Sequence, residues 1–206
     1  MGSDDLTVSR LRAGDEDAFR ELLARHHDHL LRFARTFVKS PATAEEIVQE
    51  TWLAVLKGLD TFEGRSSLKS WIYAIVANRA RTRAVRDGRT LLFSEMAGEG
   101  DADEPAVDPS RFDAAGHWDQ PPRPWDDLTP ERLAESAQIR VHLAAALEQL
   151  PEAQRAVVVL RDVEGCSSDE ACNVLGISET NQRVLLHRGR SRLRRLLEPL
   201  MESRRQ

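Results

Sequence analysis

The chain has 206 residues, of which 41% are hydrophobic and 31% charged, and a net charge of −5. That length holds one large domain or two small ones, and no apolar run nears the roughly 18 residues needed to span a bilayer, so membrane insertion is not expected. The opening MGSDDLTVSR has no basic stretch leading into an apolar core, and the two cysteines, Cys166 and Cys172, are too close along the chain to suggest a disulfide, so a cytoplasmic protein is expected.

The first clear element spans residues 15–38, where Phe19, Leu22, Leu23, His26, Leu30, Phe33, Ala34 and Phe37 recur at helical spacing. Ser40 and Pro41 break it. Thr43-x-x-Glu46 reads as a capping box opening a helix with Ile47, Val48, Thr51, Trp52, Val55, Leu56 and Leu59 on one side. Gly58 and Gly64 bracket its end. Ser66 or Ser67 then caps a third helix carrying Leu68, Trp71, Ile72, Ile75 and Val76, which turns basic through Arg79, Arg81, Arg83 and Arg86. These elements predict a helical domain over residues 1–89.

From residue 90 to 129 the periodicity fails, and Gly, Pro, Asp and Glu dominate. This is linker composition, too polar and Pro-rich for a core of its own. Phe112, Trp118 and Trp125 are its exceptions and read either as anchoring points or as a loop packing on its own protein.

A second helical domain is expected over 130–206. Leu133, Ala137, Val141, Ala144, Ala145 and Leu147 mark one helix, and Pro151 suits the first turn of the next. Ala153, Ala156, Val157, Leu160 and Val163 continue that helix to Gly165. Ser167-x-x-Glu170 is a capping box, with Ala171, Cys172 and Leu175 on one face of a short helix. Gly176 can take the left-handed conformation that ends it, and Ser178 can cap a second helix crowded with arginine. A short helix, a glycine turn and a basic helix make a helix-turn-helix, whose second helix enters a major groove. The fold class is therefore all-α, with two small helical domains joined by an acidic linker.

The acidic total conceals two basic regions. Residues 65–89 carry seven Lys/Arg against one acid, and residues 176–206 carry eight Arg against three Glu, whereas 90–136 carries three Arg against twelve acids. Phosphate contacts need local positive charge, not a positive total.

In this order and spacing the segments resemble the extracytoplasmic-function class of sigma-70 RNA polymerase sigma factors. GDEDAFRELL, AEEIVQETWLAVLKGLDTF and GRSSLKSWIYAIVANRARTRAVR resemble sigma region two, and LAAALEQLPEAQRAVVVLRDVEGCSSDEACNVLGISETNQRVLLHRGRSRLR resembles region four. The resemblance implies an alternative sigma factor that binds core RNA polymerase, recognises minus-ten and minus-thirty-five promoter DNA and is restrained by an anti-sigma factor. It places Glu46, Gln49, Glu50, Trp52 and Leu56 on the polymerase-binding surface, where acids and amides suit a basic partner helix. It assigns Arg65, Ser66, Ser67, Lys69, Trp71, Asn78, Arg79 and Arg83 to the minus-ten element: Ser66, Ser67 and Asn78 at base edges, the cations at phosphates, Trp71 either in the core or beside the DNA fork. Asn181, Gln182 and Arg183 are assigned to minus-thirty-five readout, and Arg188 and Arg190 to the backbone. At Gln182 and Arg183 the chain departs from the usual family pattern, which leaves the rotation of that helix open by about one position. His187, Arg194 and Arg195 read as solvated helix surface. The resemblance also implies that the linker passes through the polymerase cleft toward the RNA exit path, where Asp101, Asp103, Glu104 and Asp108 are expected to mimic RNA.

Other classes fit less of the chain. No catalytic motif appears, and no cofactor is expected. His26, His27 and His29 lack the i, i+4 spacing of a helical metal pair, so no metal is expected. Cys172 fills the small-residue slot of a helix-turn-helix helix and reads as a buried, inert thiol. A stand-alone helix-turn-helix regulator is the alternative function; it accounts for the second domain and leaves the first unexplained.

Overall fold

The computed structural model describes residues 3–87 and 141–202, which are helical without a strand among them. The expected linker, its aromatic and acidic residues, Leu133 and Ala137 lie outside the described residues.

The first half contains α1 (Ser3–Arg12), α2 (Glu16–Ala34), α3 (Pro41–Gly58) and α4 (Leu68–Arg86), with a tight turn at Leu59–Thr61 between α3 and α4. Asp15 caps α2, its carboxylate accepting from the backbone N–H of Asp17 and Ala18. α3 starts earlier than the Thr43 capping box predicts. Ser40 is its cap and accepts from Thr43 N–H, and Pro41 takes the first turn, where a missing N–H costs nothing. Ser67 caps α4 by accepting from Ser70 N–H, and Asp4 of α1 takes the Leu68 N–H at 2.9 Å. The short polar segment of α1 carries too few apolar residues to announce itself, but it puts Val8 and Leu11 into the core.

In this half, Leu30, Phe33, Phe37, Val48, Val55, Ile72, Tyr73 and Val76 are essentially inaccessible. Phe33 meets Phe37 edge-on at 5.2 Å and Tyr73 at 5.1 Å. Each such aromatic pair adds about 0.5–1.5 kcal/mol beyond the area it buries. Trp52 packs edge-on against Phe19 and donates its ring N–H to His27.

The second half contains α5 (described over 141–148), α6 (Glu152–Val158), a π-helical turn (Val159–Val163), α7 (Ser168–Leu175) and α8 (Glu179–Glu202). The expected single helix up to Val163 therefore widens in its last turn, where Glu164 N–H reaches Val159 C=O. Ser167 and Glu170 form the predicted reciprocal capping box, and Gly176 closes α7 at φ 63°. Ser178 Oγ accepts the Asn181 N–H at the start of α8. α8 crosses α6 very closely: a Cβ on Gly189 would lie 2.7 Å from Val158 Cγ2.

The halves share one continuous hydrophobic core, and α7 packs on α4. Polar contacts join them too. Arg81 donates to Val174 C=O at 3.1 Å, and Arg155 to Thr36 C=O at 2.8 Å.

Candidate polymerase and nucleic-acid interfaces

α3 divides sharply. Ile47, Val48, Thr51, Trp52 and Val55 are buried, while Glu46, Gln49, Glu50, Leu53 and Leu56 are exposed. Leu53 is 58% accessible and Leu56 47%. Two leucines held out in water beside two acids and an amide give a surface that is apolar at its centre and acidic at its edge. Trp52 is a correction: at 6% accessible it belongs to the core, because helical phase aligns it with Val48 and Val55. Leu53, one position on, takes the exposed place, and a count of i, i+3 and i+4 positions from Glu46 and Glu50 would have found it.

The loop before α4 presents Arg65 and Ser66 to solvent, with Arg65 paired to Glu63 at 2.8 Å. Trp71 is half-buried, its ring 5.0 Å from Phe62 and close against Gly58, where a Cβ would meet it at 3.1 Å. Asn78 is exposed. Arg79 and Arg83 reach back to α3 and pair with Glu50 at 2.7 Å and Glu46 at 2.8 Å. The arginines expected at phosphates and the acids expected at polymerase are thus direct partners, a link invisible from either helix alone.

Ser67 and Lys69 face the second half. The Ser67 and Ser70 hydroxyls each donate to Glu170 Oε1 at 2.7 Å. Lys69 donates to the main-chain oxygen of Glu164, and its Nζ lies 3.6 Å from the Glu164 carboxylate. The Glu164 side chain is 3% accessible and also binds His29 Nδ1 at 2.8 Å. Burial opposes its charge, but Tyr73, His29 and Lys69 outweigh burial and hold its carboxyl below the ordinary value. Hydrogen bonds from Ser70, the Ser167 backbone and Ser67 bring Glu170 down to about 2.

In the helix-turn-helix the phase of α8 corrects the predicted readout set. Asn181 is 8% accessible and Gln182 2%. Gln182 accepts from the Ser168 hydroxyl of α7 at 3.0 Å, so both residues face inward where most helices of this kind place apolar or small side chains. The outward line runs through Thr180, Arg183, His187, Arg190 and Arg194. Among the described residues Arg183 pairs along its own helix, with Glu179, and Arg190 makes a two-pronged contact with Asp162. Arg188 is half-buried.

The other sequence candidates are accounted for individually. His27 and His29 are engaged by Trp52 and Glu164, and among the described residues no three His, Cys, Asp or Glu side chains gather as a metal-binding group. Cys166 is buried and Cys172 half-buried rather than enclosed. Burial raises both thiols above the ordinary value; at Cys166 Lys69 opposes it and Glu170 and Glu164 add to it, and at Cys172 Glu179 and Asp169 add to it. No helix among the described residues is long and apolar enough to cross a membrane.

The described residues thus combine an acid-and-leucine surface on α3, a basic α4 beside it and a helix-turn-helix. The sigma-70 region 2 family model matches residues 22–90, and the sigma-70 region 4 model matches 140–193. The chain is 35% identical over 193 residues to the RNA polymerase sigma factor CarQ of Myxococcus xanthus, covering 94% of this chain and 97% of that one. It is 26% identical over 199 residues to the ECF RNA polymerase sigma-E factor of Escherichia coli K12, covering 97% and 96%. Its fold matches CnrH in complex with the cytosolic domain of CnrY, with a TM-score of 0.58 at 24% identity over 96% of this chain and 99% of that one. It also matches the sigma factor RpoE in complex with the anti-sigma factor NepR from Bartonella quintana, with a TM-score of 0.56 at 22% identity over 87% and 96%. The chain belongs to the sigma-70 family of RNA polymerase sigma factors, in its extracytoplasmic-function class. The stand-alone regulator is set aside, because region two is matched as well as region four.

Proposed function

We propose that this sigma factor divides its work among residues 1–89, 90–129 and 130–206. The first segment grips core polymerase and opens the minus-ten element, the second connects, and the third reads the minus-thirty-five element. The observation that carries this reading is the pairing of α3's exposed acids and leucines with an adjacent basic α4 in the same chain as a helix-turn-helix.

Glu46, Gln49, Glu50, Leu53 and Leu56 form the polymerase contact: the leucines supply apolar area and the acids orient a basic helix. Arg65, Ser66, Ser67, Lys69 and Asn78 contact the displaced minus-ten strand, with Arg79 and Arg83 along its backbone and Trp71 at the fork. In the major groove, Arg183 is the principal reader, His187 and Thr180 share its face, and Arg188 and Arg190 neutralise phosphates. The protein contributes binding energy rather than bond chemistry, acts in the cytoplasm and is held by an anti-sigma protein, as the sigma factor RpoE of Bartonella quintana is complexed with the anti-sigma factor NepR.

Run-off transcription with purified bacterial core polymerase on a genomic fragment library tests the proposal. Discrete start sites that require this protein, with two shared upstream elements, are expected. Duplex binding by the chain alone, with no transcripts from an active matched core enzyme, would overturn it.

A further inference from the structure

The loop that joins α3 to α4 is held at both ends by one helix, α1. At its near end the Arg12 guanidinium donates twice to the loop backbone, from Nε to Leu59 C=O at 3.0 Å and from Nη2 to Phe62 C=O at 2.6 Å. At its far end the Leu68 N–H, in the first turn of α4, donates to the Asp4 carboxylate at 2.9 Å. These contacts link positions 47 to 64 residues apart, so neither follows from the loop's own sequence.

α1 is itself fixed. Val8 and Leu11 are buried, and Arg10 pairs with Asp15 at 2.8 Å and Glu21 at 3.4 Å. Two residues turn a helix by about 200°, so Arg10 serves α2 while Arg12 serves the loop. The base of the loop is ordered further by its own residues. Leu59 is buried, the Thr61 hydroxyl donates to Gly58 C=O at 2.9 Å, and the Phe62 ring lies 5.0 Å from Trp71. Past Phe62 the chain turns through Gly64 at φ 69°, and Glu63, Arg65 and Ser66 face solvent. The result is a fixed base carrying an exposed tip.

We propose that Arg12 and Asp4 are positioning residues for minus-ten recognition: they hold the base of the loop so that Arg65 and Ser66 meet the displaced strand in one geometry. This rests on the reading of Arg65 and Ser66 as minus-ten contacts; neither α1 residue touches DNA itself. A loop that samples several conformations binds with its intrinsic affinity scaled by the fraction in the competent one. It also discriminates less between bases, because hydrogen-bond selection depends on distance and angle that a wandering tip does not keep. The exposed acids and leucines of α3 lie outside the loop, so polymerase contact does not depend on the clamp. Arg12 and Asp4 are both exposed, and replacing them leaves the core intact.

The test uses holoenzyme assembled from the full chain and purified bacterial core polymerase, on a promoter mapped by the run-off assay. Wild type is compared with Arg12→Ala, Arg12→Lys, Asp4→Ala, Asp4→Asn and the loop-tip variant Arg65→Ala, Ser66→Ala. Circular dichroism confirms folding, and Arg12→Lys carries the comparison if Arg12→Ala does not fold. The readouts are permanganate reactivity of the minus-ten element, affinity for core polymerase, and the ratio of binding to minus-ten oligonucleotides with the cognate and with substituted bases. Arg12→Ala should cut opening about tenfold and narrow the base ratio by a similar factor, with core affinity unchanged. Arg12→Lys should behave like the alanine variant, since an ammonium does not fork across two carbonyls. Asp4→Asn keeps a carbonyl acceptor and should restore what Asp4→Ala loses. Wild-type opening and base ratio in Arg12→Ala, beside a defective loop-tip variant, overturn the positioning role alone. Reduced opening with an unchanged base ratio overturns it too, because a general loosening of the fold would do as much. A silent loop-tip variant overturns the minus-ten reading of Arg65 and Ser66, and the positioning role with it.

Discussion

α4 and α8 are both arginine-rich helices proposed to meet DNA, but they hold their charges differently. In α4, Arg79 and Arg83 pair with acids of α3, Arg81 with the backbone of α7, and Lys69 with Glu164. In α8, Arg183 pairs with a neighbour one turn away, and the line through His187 faces solvent. Arg190 of α8 is also tied across elements, to Asp162, so the contrast lies in Arg183, whose partner Glu179 sits on its own helix, against Arg79 and Arg83, whose partners sit on another. A basic patch in sequence measures capacity for phosphate; the partners it has in the folded chain decide when that capacity is expressed.

The contrast can be broken most severely from the inside of α8. Leu185 is 1% accessible, and Leu185→Ala should cost about 2–5 kcal/mol, read by urea denaturation, with promoter binding failing only as the fold fails. Two positions away, Arg183→Ala should leave stability within about 0.5 kcal/mol and weaken minus-thirty-five duplex binding by about 1–3 kcal/mol in a holoenzyme shift assay. Equal effects of both changes on stability would show that α8 has no exposed reading face. Gln182→Met should preserve duplex binding and change stability by about 1 kcal/mol or less, since it removes a buried amide nitrogen with no partner among the described residues together with the acceptor of the Ser168 hydroxyl. A loss of sequence preference in that variant would return Gln182 to the readout set. On α3, Glu46→Gln with Glu50→Gln removes the partners of Arg83 and Arg79 of α4 and should change stability by about 1 kcal/mol or less, as exposed ion pairs do. The same variant should lose affinity for core polymerase in a pull-down titration.

Acid gives the smallest effect near neutral pH. Glu170 is held at about 2 against an ordinary 4.5, and Glu164 is lowered too. A carboxyl lowered in the folded state stabilises fully above its unfolded value, and that contribution disappears as pH falls through the folded one. The joined form should therefore be constant above about 4.5 and weaken toward 2, a slope that Glu170→Gln should flatten in scattering measurements. His26 works in the same direction within the first half, over a higher range of pH. Burial, with Lys69 next, lowers its pKa, so the unfolded chain binds that proton more readily and stability declines as pH drops below 6.5.

Much of the helical layout was legible because local signals carried it. The Ser167–Glu170 box, Gly176 and Ser178 name the turn of the helix-turn-helix without help from the rest of the chain. What failed was phase. Asn181 and Gln182 are expected at a surface from the resemblance and their early place in α8, and Trp52 from the resemblance against its own periodicity, yet each lies on the buried stripe of its helix. A one-residue offset turns a side chain by about 100°, and polar identity at Asn181 and Gln182 hides that offset. α1 escaped because its two core residues make too weak a pattern. The ties from Lys69 to Glu164 and from Ser67 to Glu170 join positions about a hundred residues apart, beyond any periodicity.

The π-helical turn at Val159–Val163 fits one more residue into a turn than an α-helix does, which resets the direction of everything after it. Glu164 leaves that turn pointing toward α2 and α4, while Asp162 points to Arg190 on α8. A deletion within 159–163 that restored regular α-helix would keep every hydrophobic residue type and swing the carboxylate out of register. The turn is therefore a length gauge: the loss of a single residue from it would redirect Glu164 before any contact residue had changed.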